Sequence, residues 1–278
     1  MNTVPLRPVI SRVWCSVPPS LRGAVESVAG PVRAAAETGW GRRAGLRLAL
    51  DVPGGRVFLK AMPRAHRHAG TLDSEACVAG AVAALAPRLL HEGSAGGWRW
   101  LLFEHVPGRT CDLSAGSADR DAAARAVRHL AALPAPPGVR LRAQTRWAHL
   151  GAGLDLGLLA GDRLVHTDLN GGNILIQAGG RAVLVDWARP AQGAGWLSSG
   201  FLLAHIIDGG TRPAKAESWA RRALPAWAGA APEATDTFVS VLARRRAEQA
   251  ATCALSRRAE REGQLRSAQA WQHHRLHT

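Results

Sequence analysis

The stretch that decides the fold is Leu164-Val165-His166-Thr167-Asp168-Leu169-Asn170-Gly171-Gly172-Asn173-Ile174-Leu175-Ile176, and Val183-Leu184-Val185-Asp186-Trp187 follows it closely. Short apolar runs on either side of a turn-rich segment are typical of buried strands. The pattern therefore predicts a strand, a glycine-rich loop, a second strand and, after the Gly179-Gly180 turn, a third strand. The loop places Asp168 and Asn173 on one side, and the hairpin returns Asp186 beside them.

These residues form the pattern H-x-D-x-x-x-x-N followed by a distant aspartate, and this pattern predicts phosphoryl transfer. That reaction needs a carboxylate that orients a hydroxyl and takes its proton. It also needs oxygen ligands that hold Mg²⁺ against the phosphates of a nucleotide. Taken singly, an aspartate or asparagine in a glycine-rich loop is more often part of a turn. The joint spacing and the strand–loop–strand context favour the catalytic interpretation.

The segment from His166 to Asn173 resembles the catalytic loop of the aminoglycoside phosphotransferases, small-molecule kinases whose fold is similar to that of eukaryotic protein kinases. The resemblance implies that Asp168 is the catalytic base and that Asn173 and Asp186 bind Mg²⁺. It implies a structural role for His166, which would steady the loop. The implied reaction moves the γ-phosphate of ATP to a hydroxyl of a small molecule, such as an aminoglycoside or a metabolite.

The resemblance also implies an α+β, two-lobed, protein-kinase-like fold. A small N-lobe, residues 1–106, would bind nucleotide with an antiparallel sheet and a helix, and its residues 1–17 are a candidate flexible segment. A larger, mainly helical C-lobe, residues 107–278, would carry the catalytic loop and the acceptor site. The predicted elements agree with this order, with strands at 31–37, 46–50, 56–62 and 98–106, a helix at 71–85, and a long basic helix from near Thr235.

An independent signal comes from Lys60, which lies on the predicted third strand, and from Glu75, which lies on the helix that follows. The fold requires such a lysine, paired with a glutamate, to hold the α- and β-phosphates. An edge-strand lysine that reaches into solvent is the ordinary alternative. Because the chain has one other lysine, Lys215, a chance match at this position is improbable, and we predict that Lys60 and Glu75 form an ion pair.

Two further segments are candidates for nucleotide contacts. Gly39 and Gly41 lie between the first two strands, where the phosphate-covering loop belongs, although their spacing also suits an ordinary hairpin turn. Glu104 and Val106 lie in a segment that resembles the hinge through whose backbone groups kinases receive adenine.

The chain departs from the family pattern at two places. The family has a Trp-x-Asp step whose aspartate braces the catalytic loop, whereas here Trp196-Leu197-Ser198 places a serine at that position. We therefore expect a weaker brace. The region before His166 is glycine-rich where the family has substantial helix, and this affects the acceptor pocket most.

Composition limits the possible partners. No apolar run approaches the ~20 residues of a membrane-spanning helix, and the amino-terminal residues lack a signal-peptide pattern, so we expect a cytoplasmic protein without a membrane partner. The net charge of +14 is spread along the chain, and lysine is rare among the 35 basic residues, as in proteins from GC-rich genomes. The absence of tyrosine and the four phenylalanines leave little for base stacking, although the chain has ten tryptophans, and because the charge forms no basic block we expect no nucleic-acid partner.

Three functions are compatible with the sequence, and the small-molecule kinase is the best supported of them. The second is a catalytically weak or inactive kinase-like regulator that binds nucleotide, which Ser198 would favour. The third, a basic nucleic-acid-binding protein, predicts steeply salt-dependent affinity. Because residues 190–278 are net basic, a neutral or anionic acceptor is as open as an aminoglycoside. The oligomeric state is not predicted.

Overall fold

The computed structural model describes residues 12–38 and 45–277. The chain divides into an N-terminal unit, Met1–Pro107, and a C-terminal unit, Gly108–Thr278, one residue beyond the predicted boundary. Each unit contains both strands and helices, and the α+β prediction is confirmed. No helix in the described part of the chain combines the length and apolar character that a membrane crossing requires.

The N-terminal unit is built on one antiparallel sheet with the strand order β1-β2-β3-β5-β4. Its elements are α1 (Arg12–Ser16), α2 (Pro19–Ala29), β1 (Ala34–Glu37), β2 (Leu46–Val52), β3 (Gly55–Pro63), α3 (Gly70–Ala79), β4 (Leu89–Ala95) and β5 (Trp98–Glu104). The alternating apolar residues of β2 and β3 bury Leu48, Leu50 and Leu59 on one side of the sheet, as the period of two requires.

Strand β4 was not predicted, because the segment Leu89–Ala95 is mostly polar or small and has no clear alternation. It pairs with β5 through a tight turn at Gly96 and Gly97, whose φ angles are 55° and 79°. Positive φ at both central residues is the requirement of a two-residue hairpin turn, and it explains the glycine pair. This Gly-Gly signal could have revealed the strand.

The candidate flexible segment at residues 1–17 can be compared with the structure from Arg12 onward, and there the prediction is wrong. Residues 12–16 form α1, and Trp14 and Val17 are buried in the core of the N-terminal unit. The Nε1 of Trp14 donates to Glu26 Oε1 at 3.3 Å. Burial of a tryptophan with a satisfied indole N–H holds this segment in place.

The C-terminal unit is mainly helical and contains two small sheets, β10-β7 and β6-β8-β9. Its strands are β6 (Arg109–Thr110), β7 (Arg163–His166), β8 (Ile174–Ile176), β9 (Ala182–Leu184) and β10 (Pro190–Gly193). Its helices are α4 (Asp119–Ala132), α5 (Ala143–Arg146), α6 (Leu197–Asp208), α7 (Pro213–Ala223), α8 (Pro225–Ala228), α9 (Pro232–Thr252) and α10 (Arg258–Leu276).

The predicted long terminal helix is in fact two helices, because the backbone becomes extended at Cys253 and Ala254 before α10 begins. Helix α10 buries Trp271, whose ring contacts Trp227 and Phe238. The Nε1 of Trp271 donates to the buried Glu217 at 2.7 Å. The two helices thus close the aromatic core of the C-terminal unit.

Candidate active site

The catalytic loop connects β7 to β8 and is folded by its own polar side chains. Asn170 Oδ1 accepts the backbone N–H of Gly172 at 2.9 Å, which starts a short 3₁₀ turn over Gly171–Asn173. The Nδ2 of Asn173 donates to the backbone carbonyl of Asp168 at 2.7 Å. Asn170 was not singled out from the sequence, although asparagine is a common cap for such turns.

Asp168 presents an exposed carboxylate at the start of this turn. The amide nitrogens of Asn170 and Asn173 lie 3.4 and 3.5 Å from its two oxygens. Because the same amides also bond the Asp168 carbonyl, they hold both the backbone and the side chain of this residue. The loop can therefore present a carboxylate in a defined position, which a base that acts on a bound hydroxyl requires.

Asp186 follows β9, which pairs with β8 so that Ile174 faces Leu184. The backbone N–H of Val185 donates to the carbonyl of Asn173 at 2.9 Å, so Asp186 lies one residue beyond the partner of Asn173. Among the described residues, Asp186 is the one non-glycine residue with positive φ, at 64°. A backbone outlier in a sequence-predicted site supports a functional role for this residue.

The donor chemistry at Asn173 and Asp186 fits Mg²⁺. The Asn173 amide nitrogen is engaged with Asp168, which leaves the amide oxygen as the ligand atom. A carboxylate and an amide oxygen are hard ligands of the kind that Mg²⁺ prefers. In the described residues no group of three or more His, Cys, Asp or Glu side chains could hold a metal. Because Mg²⁺ is commonly held by one or two carboxylates together with phosphate and water oxygens, two protein ligands are compatible with a Mg²⁺ site.

His166 joins the two halves of this arrangement. Its Nδ1 accepts the backbone N–H of Asp168 at 3.3 Å, so its Nε2 carries the proton and donates to the Val185 carbonyl at 3.0 Å. The ring is buried and meets the edge of Trp187 at a centroid distance of 4.6 Å. Burial lowers the pKa of His166 and keeps the imidazole neutral. His166 thus fixes the position of Asp168 relative to the strand that precedes Asp186.

In the N-terminal unit, the expected ion pair between Lys60 and Glu75 is present. Lys60 Nζ lies 2.7 and 2.9 Å from the two carboxylate oxygens of Glu75. The exposed fractions of the two side chains are 9% and 6%. Lys60 lies on β3, where it is paired with Arg47 of β2 on one side and with Leu101 of β5 on the other. Because β3 has a neighbouring strand on each side, the backbone position of Lys60 is fixed from both directions.

The other predicted nucleotide contacts have different outcomes. Gly39 and Gly41 lie outside the described residues. The backbone N–H of Glu104 donates to the Arg88 carbonyl at 2.9 Å, and the contact of Glu104 with adenine stays a prediction. Val106 follows the end of β5 in a segment without regular structure.

With this geometry established, the chain can be compared with known proteins. No protein-family model matches the sequence, and no curated protein matches it either. Solved structures do match along nearly the whole chain. An aminoglycoside phosphotransferase from Alicyclobacillus acidocaldarius subsp. acidocaldarius superposes with a TM-score of 0.63 at 14% identity, over 94% of this chain and 97% of that one.

Two antibiotic complexes match as well. A thermostable mutant of APH(4)-Ia with ADP and hygromycin B has a TM-score of 0.59 at 15% identity, covering 90% of this chain and 98% of that one. Spectinomycin phosphotransferase APH(9)-Ia with ADP and spectinomycin has a TM-score of 0.59 at 11% identity, covering 91% and 93%. The fold is that of the aminoglycoside phosphotransferases.

Ser198 stands where the resemblance to the aminoglycoside phosphotransferases leads one to expect an aspartate, and it contacts the catalytic loop. Ser198 lies fully buried at the start of α6, and its Oγ accepts the backbone N–H of His166 at 3.2 Å. A hydroxyl therefore braces the catalytic loop where the family has a carboxylate. A carboxylate has more acceptor sites than a hydroxyl, so the expectation of a weaker brace remains a prediction.

Sequence reasoning missed Arg146 altogether. Its Nη1 donates to Thr167 Oγ1 at 2.6 Å and to the Arg189 carbonyl at 3.1 Å. Thr167 Oγ1 in turn donates to the same carbonyl at 2.7 Å. The guanidinium also lies over the ring of Trp147, 5.3 Å from its centroid. The glycine-rich region before His166, for which no structure was predicted, therefore supplies a side chain that holds the residue next to Asp168.

Proposed function

We propose that the chain is an ATP- and Mg²⁺-dependent phosphotransferase that moves the γ-phosphate to a hydroxyl of a small molecule, an antibiotic or a metabolite. The observation that carries the proposal is the arrangement around Asp168. Its carboxylate stands exposed on a loop that Asn173 and His166 tie to the strand before Asp186. The solved structures with the same fold that contain ADP together with hygromycin B or spectinomycin support this assignment.

In the proposed reaction, Asp168 accepts a hydrogen bond from the acceptor hydroxyl, orients it, and takes its proton as the oxygen attacks phosphorus. Asn173 and Asp186 would hold Mg²⁺ through their side-chain oxygens. When bound, the metal would neutralise charge on the phosphate oxygens. His166 remains neutral, and its proposed role is to hold Asp168 and Val185 in place through its two ring nitrogens.

In the N-terminal unit, the proposed role of Lys60 is to contact nucleotide phosphate oxygens. Glu75 accepts two hydrogen bonds from the Lys60 ammonium group and thereby holds it in position. Glu104 and Val106 would offer backbone groups to adenine, and Gly39 and Gly41 would belong to the loop that covers the phosphates. We place the activity in the cytoplasm, where ATP is available.

The test is phosphate transfer from ATP, with and without Mg²⁺, to a panel of antibiotics and hydroxylated metabolites. We expect wild-type transfer that requires Mg²⁺ and falls by about 10²–10⁴-fold in Asp168→Asn, the typical size of a base or orienting contribution. Asp162→Asn is the matched control, since that carboxylate is exposed and pairs with the neighbouring Arg163 at 3.3 Å. Nucleotide binding without transfer to any acceptor would favour the kinase-like regulator, and absence of nucleotide binding would refute both.

A further inference from the structure

Thr167 lies between His166 and Asp168 at the start of the catalytic loop, and its side chain is buried. Its Oγ1 donates to the Arg189 carbonyl at 2.7 Å and accepts from Nη1 of Arg146 at 2.6 Å. The same Nη1 donates to the Arg189 carbonyl at 3.1 Å. One donated and one accepted bond fix the direction of a hydroxyl that could otherwise rotate. The three groups therefore form a closed triangle of hydrogen bonds at the residue that precedes the proposed catalytic base.

This triangle lies where the pairing of two strands ends. Strands β7 and β10 pair as far as His166 and Pro190. Proline has no backbone N–H, so Pro190 cannot donate a hydrogen bond to its partner strand. The chain leaves β7 at this point and enters the catalytic loop. The side chains of Thr167 and Arg146 therefore add hydrogen bonds at the position where the backbone pairing stops.

Arg146 is itself held by aromatic side chains. Its guanidinium lies over the ring of Trp147, 5.3 Å from the centroid, which is within the range of a cation–π contact. Trp147 is buried, and its ring meets that of Phe201 in α6 at a centroid distance of 5.8 Å. Arg146 therefore connects the start of the catalytic loop to the packed core of the C-terminal unit.

The position of Asp168 depends on that of Thr167, because the Cα atoms of neighbouring residues are a fixed distance of about 3.8 Å apart. A base must lie within about 2.6–3.2 Å of the group whose proton it takes. A misplacement of about 1 Å can lower a rate by about 10²-fold. The ordinary alternative is an arginine that only stabilises the fold, and its loss would loosen the whole unit instead of this loop.

We infer that Arg146 is a positioning residue for the proposed catalytic base, and that it acts through the Thr167 hydroxyl to keep the Asp168 carboxylate where it meets the acceptor. The inference rests on the proposed function, because that function makes Asp168 the base. A planar group with several N–H donors suits this role, since it can reach two oxygens while its face lies over a ring. Arg146 contacts neither acceptor nor nucleotide in this scheme, so it sets turnover and leaves nucleotide affinity unchanged.

Hydrogen exchange read by mass spectrometry tests the hold on the loop without any acceptor. Arg146→Met removes the guanidinium, Thr167→Val removes the hydroxyl with little change of shape, and Arg140→Met removes an exposed arginine from the same region as a control. We expect the backbone N–H groups of residues 166–173 to exchange at least about tenfold faster in the first two variants, because local opening becomes easier. Arg140→Met should keep the wild-type rates, and α9 should keep them in all three variants.

Two results of this experiment would overturn the inference. Equal exchange of residues 166–173 in Arg146→Met and Arg140→Met would show that Arg146 does not hold the loop. Equal acceleration across the whole C-terminal unit in Arg146→Met would show that Arg146 only stabilises the fold.

Transfer assays with Mg²⁺, ATP and the best acceptor among hygromycin B, spectinomycin and hydroxylated metabolites test the catalytic consequence. We expect kcat to fall by about 10–10²-fold in Arg146→Met and in Thr167→Val, with the KM for ATP and the affinity for AMP-PNP unchanged. The double variant should be no slower than the slower single variant, because residues that act through one contact are not additive. Thr167→Ser keeps the hydroxyl and should recover most of the turnover that Thr167→Val loses. Multiplied effects in the double variant, or no recovery in Thr167→Ser, would overturn the inference.

Failure of the inference and failure of the proposed function give different results. If the wild type transfers phosphate and Arg146→Met has the same kcat as Arg140→Met, the kinase assignment stands and the positioning role is wrong. If the wild type transfers phosphate to no acceptor while Arg146→Met still frees the loop, the hold on the loop stands and the kinase assignment is wrong.

Discussion

The backbone N–H of His166 donates to Oγ of Ser198 at 3.2 Å, and this bond attaches the catalytic loop to the first turn of α6. Both residues are buried, so water cannot replace the bond if the hydroxyl is removed. The start of the catalytic loop is therefore held from two directions, by this bond and by the His166 ring.

We expect Ser198→Ala to lower the free energy of unfolding by about 1–3 kcal/mol, because it leaves a buried N–H unsatisfied. Turnover should fall as well, with nucleotide affinity unchanged, since the position of Asp168 is affected. Urea denaturation and transfer assays measure the two effects. Ser199→Ala is the control, because Ser199 is equally buried but makes no hydrogen bond to the catalytic loop among the described residues. If Ser198→Ala and Ser199→Ala lowered the free energy of unfolding and the turnover equally, the bracing role assigned to Ser198 would be wrong.

Asp186→Asn should weaken Mg²⁺-dependent nucleotide binding as well as turnover, since the substitution replaces a charged metal ligand with a neutral one. Asparagine tolerates positive φ at least as well as aspartate, so we expect the backbone at 64° to be preserved. Nucleotide titrations with and without Mg²⁺ make the comparison. Asp168→Asn serves as the contrast, since it should leave these titrations unchanged. An unaltered Mg²⁺ dependence in Asp186→Asn would contradict the metal role.

Lys60→Met should destabilise the protein by about 3–5 kcal/mol, because it removes the positive charge that pairs with the buried carboxylate of Glu75. The double variant Lys60→Met/Glu75→Leu should recover much of this loss, since both charges are then removed. Denaturant unfolding measures the stability of all three proteins. Lys215→Met, at the other lysine of the chain, is exposed and should be near neutral. No recovery in the double variant would indicate that packing, not charge pairing, dominates at Lys60.

Acid should destabilise the protein partly through His166. Burial lowers its pKa from the ordinary value of 6.5, so the unfolded chain takes up this proton more readily than the folded protein. The free energy of unfolding should therefore fall as the pH drops from about 6.5, by at most about 1.4 kcal/mol per pH unit from this one group. His166→Asn should show a shallower dependence in urea unfolding between pH 7 and 5. His129→Asn, at an exposed position, should retain the wild-type slope.

The parts that sequence reasoning captured are those that depend on local pattern. The ion pair between Lys60 and Glu75 was predicted because the resembled fold requires a lysine on the third strand and a glutamate on the helix that follows, and the chain has one other lysine. The approach of Asn173 to Asp168 was predicted because the loop between them is short. Strand β4 was missed because its residues lack alternation.

The contact of Arg146 with the catalytic loop could not be predicted from the sequence in the same way. Arg146 lies in a short helix within a glycine-rich region, and its hydrogen bond to Thr167 arises only through tertiary packing. In a chain with 35 basic residues, composition does not indicate which guanidinium contacts the loop. The net basic charge of residues 190–278 left a neutral or anionic acceptor as open as an aminoglycoside.

Helix α10 has a consequence for handling the protein, although it supplies no residue to the proposed site. Arg246 of α9 donates to the Gln264 carbonyl of α10 at 2.8 Å, and Trp271 covers Phe238 of α9. Helix α9 is therefore held against α10 by a hydrogen bond and by ring packing. A protease cut within α10 would release this support and still leave every proposed catalytic group in the sample. The intact mass of a preparation should therefore be checked before its stability or activity is interpreted.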